Sequence, residues 1–239
     1  MFGTALAVGL GLLAKATSYG GWNELATDGT GFFRVAHLDE VWWIVDPGGN
    51  VFLSKGVNHV SYTADNAPSL GYSPYGRVTN AKYGDASTWA KAAVERLRGW
   101  GFNTIGAWSS TETFTQGMAY TRILDIGSSA GGDWLKGGFP DVFSETFRET
   151  ADRIARERCA PSRDDPFLLG YFTDNELRWG PDWRSDQSLL EDYWSLPADA
   201  DGKRAAIRVV EERYGTIQGF NETWGTGYED FDALGAETR

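Results

Sequence analysis

The apolar positions of this chain repeat every second residue in some stretches and every three to four in others, and each change of period marks an element. Residues 32–37 (FFRVAH) and 41–45 (VWWIV) read as short strands, closed by the turn Asp46-Pro47-Gly48-Gly49-Asn50. Trp42 and Trp43 alternate on one strand, so at least one of them is expected in the core. Residues 51–60 (VFLSKGVNHV) follow as a second hairpin arm or a buried strand, and 61–86 read as a long polar and aromatic loop. Ser87 can cap a helix over about 88–99 whose inner face carries Ala90, Val94 and Leu97. Strands are expected at 102–108 (FNTIGAW), 119–127 (AYTRILDIG) and 167–173 (FLLGYFT), with a helix capped by Ser144 running to about 158 between the last two. Phe147, Ala151 and Ile154 would form its buried stripe. Beyond residue 180 only helices are predicted, near 185–195, 202–214 and 216–224.

Apolar strands alternating with helices imply a parallel sheet with helices packed outside, either a (β/α) barrel or an open α/β sheet. In such folds the chemistry gathers at the C-terminal ends of the strands. Those ends carry Asn58 and His59, Trp108 and Ser109, Asp125, and finally Asp174, Asn175 and Glu176. Four strand ends that all finish in polar or aromatic groups favour a shared site over coincidence.

Composition narrows the chemistry. The 239 residues carry a net charge of −11, so no basic stripe exists to neutralise phosphates and no nucleic-acid partner is expected. Eleven tryptophans are many for this length and suit stacking on sugar rings, although tryptophan is also a core residue. Cys159 is the only cysteine, which excludes an intrachain disulfide, and His37 and His59 are the only histidines; no HExxH or CxxC occurs and no metal is expected. Residues 1–30 read as a signal-like or disordered N-terminus ahead of one domain over 31–239. Phe2–Leu13 is apolar and Ala14-Lys15-Ala16 has the form of a signal-peptidase site, which suggests a secreted or periplasmic protein. The missing basic n-region leaves a cytoplasmic location open, and the run is too short to span a membrane. Gly9-Leu10-Gly11-Leu12-Leu13-Ala14 formally matches a dinucleotide fingerprint, but no strand precedes it, and no cofactor is expected.

The segments WWIVDPGGNVFLSKGVNH, FPDVFSETF, PFLLGYFTDNELRWG and ERYGTIQGFNETWGT together resemble the retaining glycosidases built on (β/α)₈ barrels, and most of all bacterial β-agarases and β-galactosidase-type proteins. The resemblance runs from about residue 32 onward and implies the N-terminal portion of a barrel, about four βα units preceded by a short β-hairpin segment. It implies a carbohydrate substrate built on galactose. Glu176 falls on the general acid/base and Asn175 on the amide that bonds the sugar 2-hydroxyl. Asn58 and His59 resemble polar groups lining the subsite of the cleaved sugar, and Trp108 and Trp179 resemble stacking walls. A glycosidic oxygen leaves poorly unless protonated as the bond breaks, and a carboxylic acid with a raised pKa can do this. Burial beside the apolar strand, and the charge of Asp174, are expected to hold Glu176 in that state.

Retaining chemistry also needs a nucleophilic carboxylate about 5–5.5 Å from the acid. In the resembled family it ends the seventh strand, whereas four barrel strands are legible here. Glu222 lies in a helix-like segment. The expectation is therefore an incomplete barrel with exposed strand edges, inactive by itself. A non-catalytic carbohydrate-binding barrel and an unrelated α/β enzyme are the alternatives. Glu176 also has a bland reading, as an ion-pair partner of Arg178 or Arg184, and His59 one as a structural histidine.

Overall fold

A computed structural model describes residues 17–237, which fall into two compact units. The segment on which the export reading rests, Phe2–Ala16, lies outside the described residues. Among those described, no helix is long and apolar enough to cross a membrane.

The first unit comprises the chain up to Ile123 together with Ser162–Phe172. It opens with a four-stranded antiparallel sheet in the order β1-β4-β3-β2, formed by β1 (Trp22–Ala26), β2 (Arg34–Leu38), β3 (Val41–Val45) and β4 (Asn50–Phe52). The predicted hairpin is the β2–β3 pair, in register from Arg34↔Val45 to Leu38↔Val41. Buried Asp46 organises the following turn: it accepts from the Asn50 backbone N–H (3.0 Å), the Asn50 amide (3.1 Å) and the Thr17 hydroxyl (2.7 Å). Gly49 sits at φ 95°, where a Cβ would lie 2.1 Å from the Thr27 carbonyl oxygen, so only glycine fits. Within 1–30, expected to be signal-like or disordered, Trp22–Ala26 supply β1. Its sequence WNELA has no strict alternation and forms an edge strand whose register against β4 is broken by an irregularity. Trp42 stays 70% exposed and Trp43 is half-buried, so it is Val45 that this strand places in the core.

The stretch 51–60 divides between two sheets. After β4 it leaves the antiparallel sheet and returns as β5 (Gly56–Val57), the first strand of a parallel sheet in the order β5-β6-β7-β8. The others are β6 (Thr104–Ile105), β7 (Ala119–Ile123) and β8 (Leu168–Phe172). Asn103 sits at the junction. Its side chain accepts from the Lys55 N–H (2.7 Å) and donates to the Leu53 carbonyl (3.0 Å).

Two helices separate β5 from β6. The first, α1 (Pro74–Tyr83), corrects the expectation of a loop over 61–86. It buries none of its residues, so hydrophobic periodicity could not reveal it. Its start is a capping signal: Ser73 accepts from the Gly76 N–H, and Pro74 occupies the first turn. The second, α2 (Ala86–Gly99), is capped by Asp85 rather than by Ser87, with Asp85 accepting from the Thr88 N–H at 2.8 Å. Its face of Ala90, Val94 and Leu97 is buried as predicted, and Val94 and Leu97 pack with Ile105, Met118 and Tyr120 into the core of this unit. Among the described residues the parallel sheet has two unpaired edges, β5 and β8. Consistent with that, Leu168 to Tyr171 are only half-buried and Phe172 is 55% exposed.

The second unit comprises Leu124–Pro161 and Thr173–Arg239. It contains the short α3 (Ile126–Ser129) and α4 (Glu145–Ile154), the latter capped by Ser144 as predicted and continued by a π turn over Ala155–Cys159. Ile154 is buried, while Phe147 and Ala151 are half-buried. The predicted C-terminal helices appear as α5 (Leu189–Trp194), α6 (Asp201–Tyr214) and α7 (Ile217–Trp224), and an unforeseen α8 (Phe231–Gly235) follows. Ile207, Val210 and Leu234 form their shared core, with Trp194, Tyr214, Ile217 and Phe220 packed against it.

Candidate active site

Backbone geometry singles out the residues that follow the parallel strands. Seven non-glycine residues have positive φ among those described, and four of them come soon after β5, β6, β7 and β8: His59 (56°), Trp108 (57°), Asp125 (54°) and Glu176 (51°). A left-handed conformation at a bulky residue costs on the order of 1–3 kcal/mol and persists where the surroundings impose it, typically at functional positions. Tryptophan and glutamate have no intrinsic preference for that region, so nothing in the sequence announced it.

In the first unit the structure brings Asn58, His59 and Trp108 together. The His59 backbone N–H donates to the Ala107 carbonyl at 2.9 Å, and the Val60 N–H to the Ser109 hydroxyl at 3.1 Å. These bonds lace the ends of β5 and β6 to each other. The His59 ring stacks on Trp108 with centroids 5.0 Å apart and planes 21° from parallel. Asn58 packs so closely over Gly106 that a Cβ there would meet its Oδ1 at 1.9 Å. All three residues are exposed at the strand ends. His59 is thus part of an exposed polar and aromatic cluster.

In the second unit Asp174, Asn175, Glu176 and Trp179 lie on one loop. Asp174 fixes its start, accepting from the Gly127 N–H at 2.7 Å, beside a backbone bond from Ile126 to the Thr173 carbonyl. Burial pushes the Asp174 carboxyl above its ordinary pKa, against the lowering effect of that N–H. At neutral pH the carboxylate therefore costs the folded state free energy that the protonated acid would not. Asp174→Asn, which keeps an oxygen acceptor, should leave stability unchanged or raise it at neutral pH. Asp174→Ala orphans the Gly127 N–H and should cost about 1–3 kcal/mol, read from urea denaturation.

Two arginines missed as site residues hold the rest of the loop. Arg178 is 3% exposed and donates to the carbonyls of Gly137 (2.7 Å), Gly180 (3.1 Å) and Gln187 while pairing with Asp192. Arg184 pairs with Asp182 (2.7 Å) and gives both terminal nitrogens to the Glu176 carbonyl, each at 3.1 Å. Both guanidinium groups pair with other carboxylates, while the Glu176 charge still acts on Arg184. Glu176 itself is exposed, and so are Asn175 and Trp179, the last resting edge-on against Phe139 at 5.1 Å. The burial expected around the Glu176 carboxylate is therefore absent. Only a water-sized recess of about 10 Å³ adjoins it, lined in part by Trp134, Arg178 and Arg184.

Among the described residues no three of His, Cys, Asp and Glu gather as metal ligands. Glu222 lies in α7 and accepts from the Gln218 amide at 2.8 Å.

No protein-family model matches the chain. Curated relatives and solved structures do. β-Agarase B of Vibrio sp. (strain JT0107) is 24% identical over an alignment of 279 positions, covering 87% of this chain, and β-agarase A of the same strain is 27% identical over 295 positions, covering 94%. The crystal structure of an agarase, AgWH50C, superposes with a TM-score of 0.76 over 96% of this chain at 20% identity, and that of an exo-β-agarase with 0.75 over 94% at 18%. The chain is similar to β-agarases over most of its length. It spans 29% of the length of each curated relative and 42% of each of these two agarase structures. The likeness to β-agarases thus concerns a part of those proteins, and the mixed α/β fold is shared with agarases of known structure.

Proposed function

We propose that these residues form part of a (β/α)₈ barrel of a retaining glycoside hydrolase acting on agarose or a related galactan, with Glu176 as general acid/base. The observation that carries this reading is the placement of Glu176. An exposed carboxylate sits on a left-handed residue just past the fourth parallel strand, on a loop tied down by Asp174, buried Arg178 and Arg184. A general acid must hold a fixed position and still reach a substrate oxygen. Asn175, adjacent and exposed, is assigned to the sugar 2-hydroxyl, a bond that strengthens as positive charge develops on the ring. Trp179 offers an exposed indole on the same loop. Asn58, His59 and Trp108 are assigned to sugar contact within their own unit. The similarity to β-agarases supports galactan as the substrate class.

A second carboxylate is needed for retention, and Glu222 is committed to a helix and to Gln218. These residues therefore supply the acid/base half of the pair, and binding without turnover is the behaviour assigned to them alone. Calorimetry with agarose oligosaccharides and a reducing-end assay on agarose test both parts. Binding with no reducing-end release is expected. Turnover by this chain would overturn the incompleteness, and failure to bind any galactan oligosaccharide would overturn the substrate class.

A further inference from the structure

The loop that follows Glu176 carries a second aromatic feature that the acid/base chemistry does not use. Trp183 is 76% exposed and Trp134 40% exposed, and their rings meet edge-to-face with centroids 5.9 Å apart. The Arg184 guanidinium lies 5.4 Å from one ring centroid and 5.6 Å from the other. Its side chain is only 5% exposed, and Asp182 holds it through Nη2 at 2.7 Å and Nε at 3.0 Å. The Trp134 carbonyl accepts from the same arginine at 3.2 Å, and the Asp133–Gly138 bridge closes the short hairpin that carries Trp134.

Single exposed aromatics are ordinary on protein surfaces. Two indoles packed against each other and against one ion-paired guanidinium differ, because those contacts restrict their rotamers before any ligand arrives. Such a surface is preorganised for a flat apolar partner. The recess lined by Trp134 and Arg184 has room for no more than a water, so a ligand must lie on the open indole faces and not in that recess. At the rim Lys136 and Asp133 form an exposed pair at 3.4 Å, which supplies a donor and acceptors for hydroxyl groups.

We propose that Trp183 and Trp134 form a stacking subsite for a sugar unit of an uncharged galactan chain, distinct from the contacts of Asn175 and Glu176. This rests on the agarose reading above. The net charge of −11 selects against sulfated galactans, which carry the same ring faces with added negative charge.

The test is equilibrium binding of a long agarose oligosaccharide, followed by calorimetry, to the unaltered chain and to Trp183→Ala, Trp183→Tyr and Trp100→Ala. Trp100 is exposed in the other unit and serves as the control. Trp183→Ala should weaken binding about tenfold, Trp183→Tyr should restore it to within about threefold, and Trp100→Ala should leave it unchanged. A sulfated galactan oligosaccharide of equal length should bind at least about tenfold more weakly than the neutral one. Because the Trp183 ring is exposed, its removal should not alter the unfolding midpoint. If the unaltered chain binds and Trp183→Ala binds equally well, the subsite is wrong and the agarose reading stands. If the unaltered chain binds no galactan oligosaccharide, the agarose reading falls and the subsite with it. Equal binding of the sulfated chain overturns the selection for an uncharged ligand.

Discussion

Replacing Glu176 with glutamine should lower agarose hydrolysis by about 10²–10⁴-fold, the usual contribution of a positioned general acid. Glutamine preserves size and hydrogen bonding but has no proton to transfer to the glycosidic oxygen. The residue is exposed and its backbone carbonyl is held by Arg184, so the substitution should disturb neither the fold nor the loop. The measurement belongs in a polypeptide that carries these residues and turns over agarose. It should be paired with an aryl galactoside whose leaving group departs without protonation. For that substrate the first step should lose far less than for agarose, because no acid is required. An equal loss on both substrates would mean that Glu176 acts structurally, and no loss on agarose would remove it from the mechanism.

The largest effect on stability is expected at Arg178. Arg178→Met removes a buried cation that satisfies three backbone carbonyls and pairs with Asp192, whose side chain is 15% exposed. Breaking one side of a buried pair costs about 3–5 kcal/mol, because the remaining charge has no partner. Burial already raises the Asp192 carboxyl, and the guanidinium beside it acts in the opposite direction. With Arg178 gone the carboxyl should rise further. A native carboxyl with a raised pKa binds more protons than the unfolded chain does, so the deficit should be greatest at neutral pH. It should shrink as pH falls toward about 4, where the unfolded carboxyl is protonated too. Urea denaturation of the variant at several pH values checks this, and adding Asp192→Leu should recover the part of the loss that comes from the unpaired charge. An unfolding midpoint that matches the parent at neutral pH would show that the pair contributes nothing.

Much of the fold was legible in the sequence because its signals are local. The β2–β3 hairpin, the buried face of α2 and the Ser144 cap each depend on residues within a few positions of one another. The order of four apolar strands and the DNE tripeptide after the fourth were equally readable, and with them the candidate acid and its neighbouring amide. What escaped were elements without a hydrophobic period. β1 is a short edge strand held by pairing with β4, and α1 buries no residue and begins on a cap. Splitting 51–60 between two sheets required knowing how Asn103 bonds to Lys55 and Leu53, about fifty residues away.

Residue identity thus determined the chemistry on offer: a carboxylate, an amide and indoles after apolar strands, on a chain of net charge −11. Only the tertiary structure decided how those groups are held. The left-handed backbone at Trp108 and Glu176 has no basis in residue preference, whereas His59 and Asp125 belong to types that adopt it more readily. The exposure of Glu176 and the commitment of Arg178 and Arg184 to other carboxylates are likewise products of packing. A pairwise guess from sequence would have joined those arginines to the nearest glutamate. Distance along the chain does not set electrostatic partners, because a buried guanidinium is stable only where several acceptors converge on it.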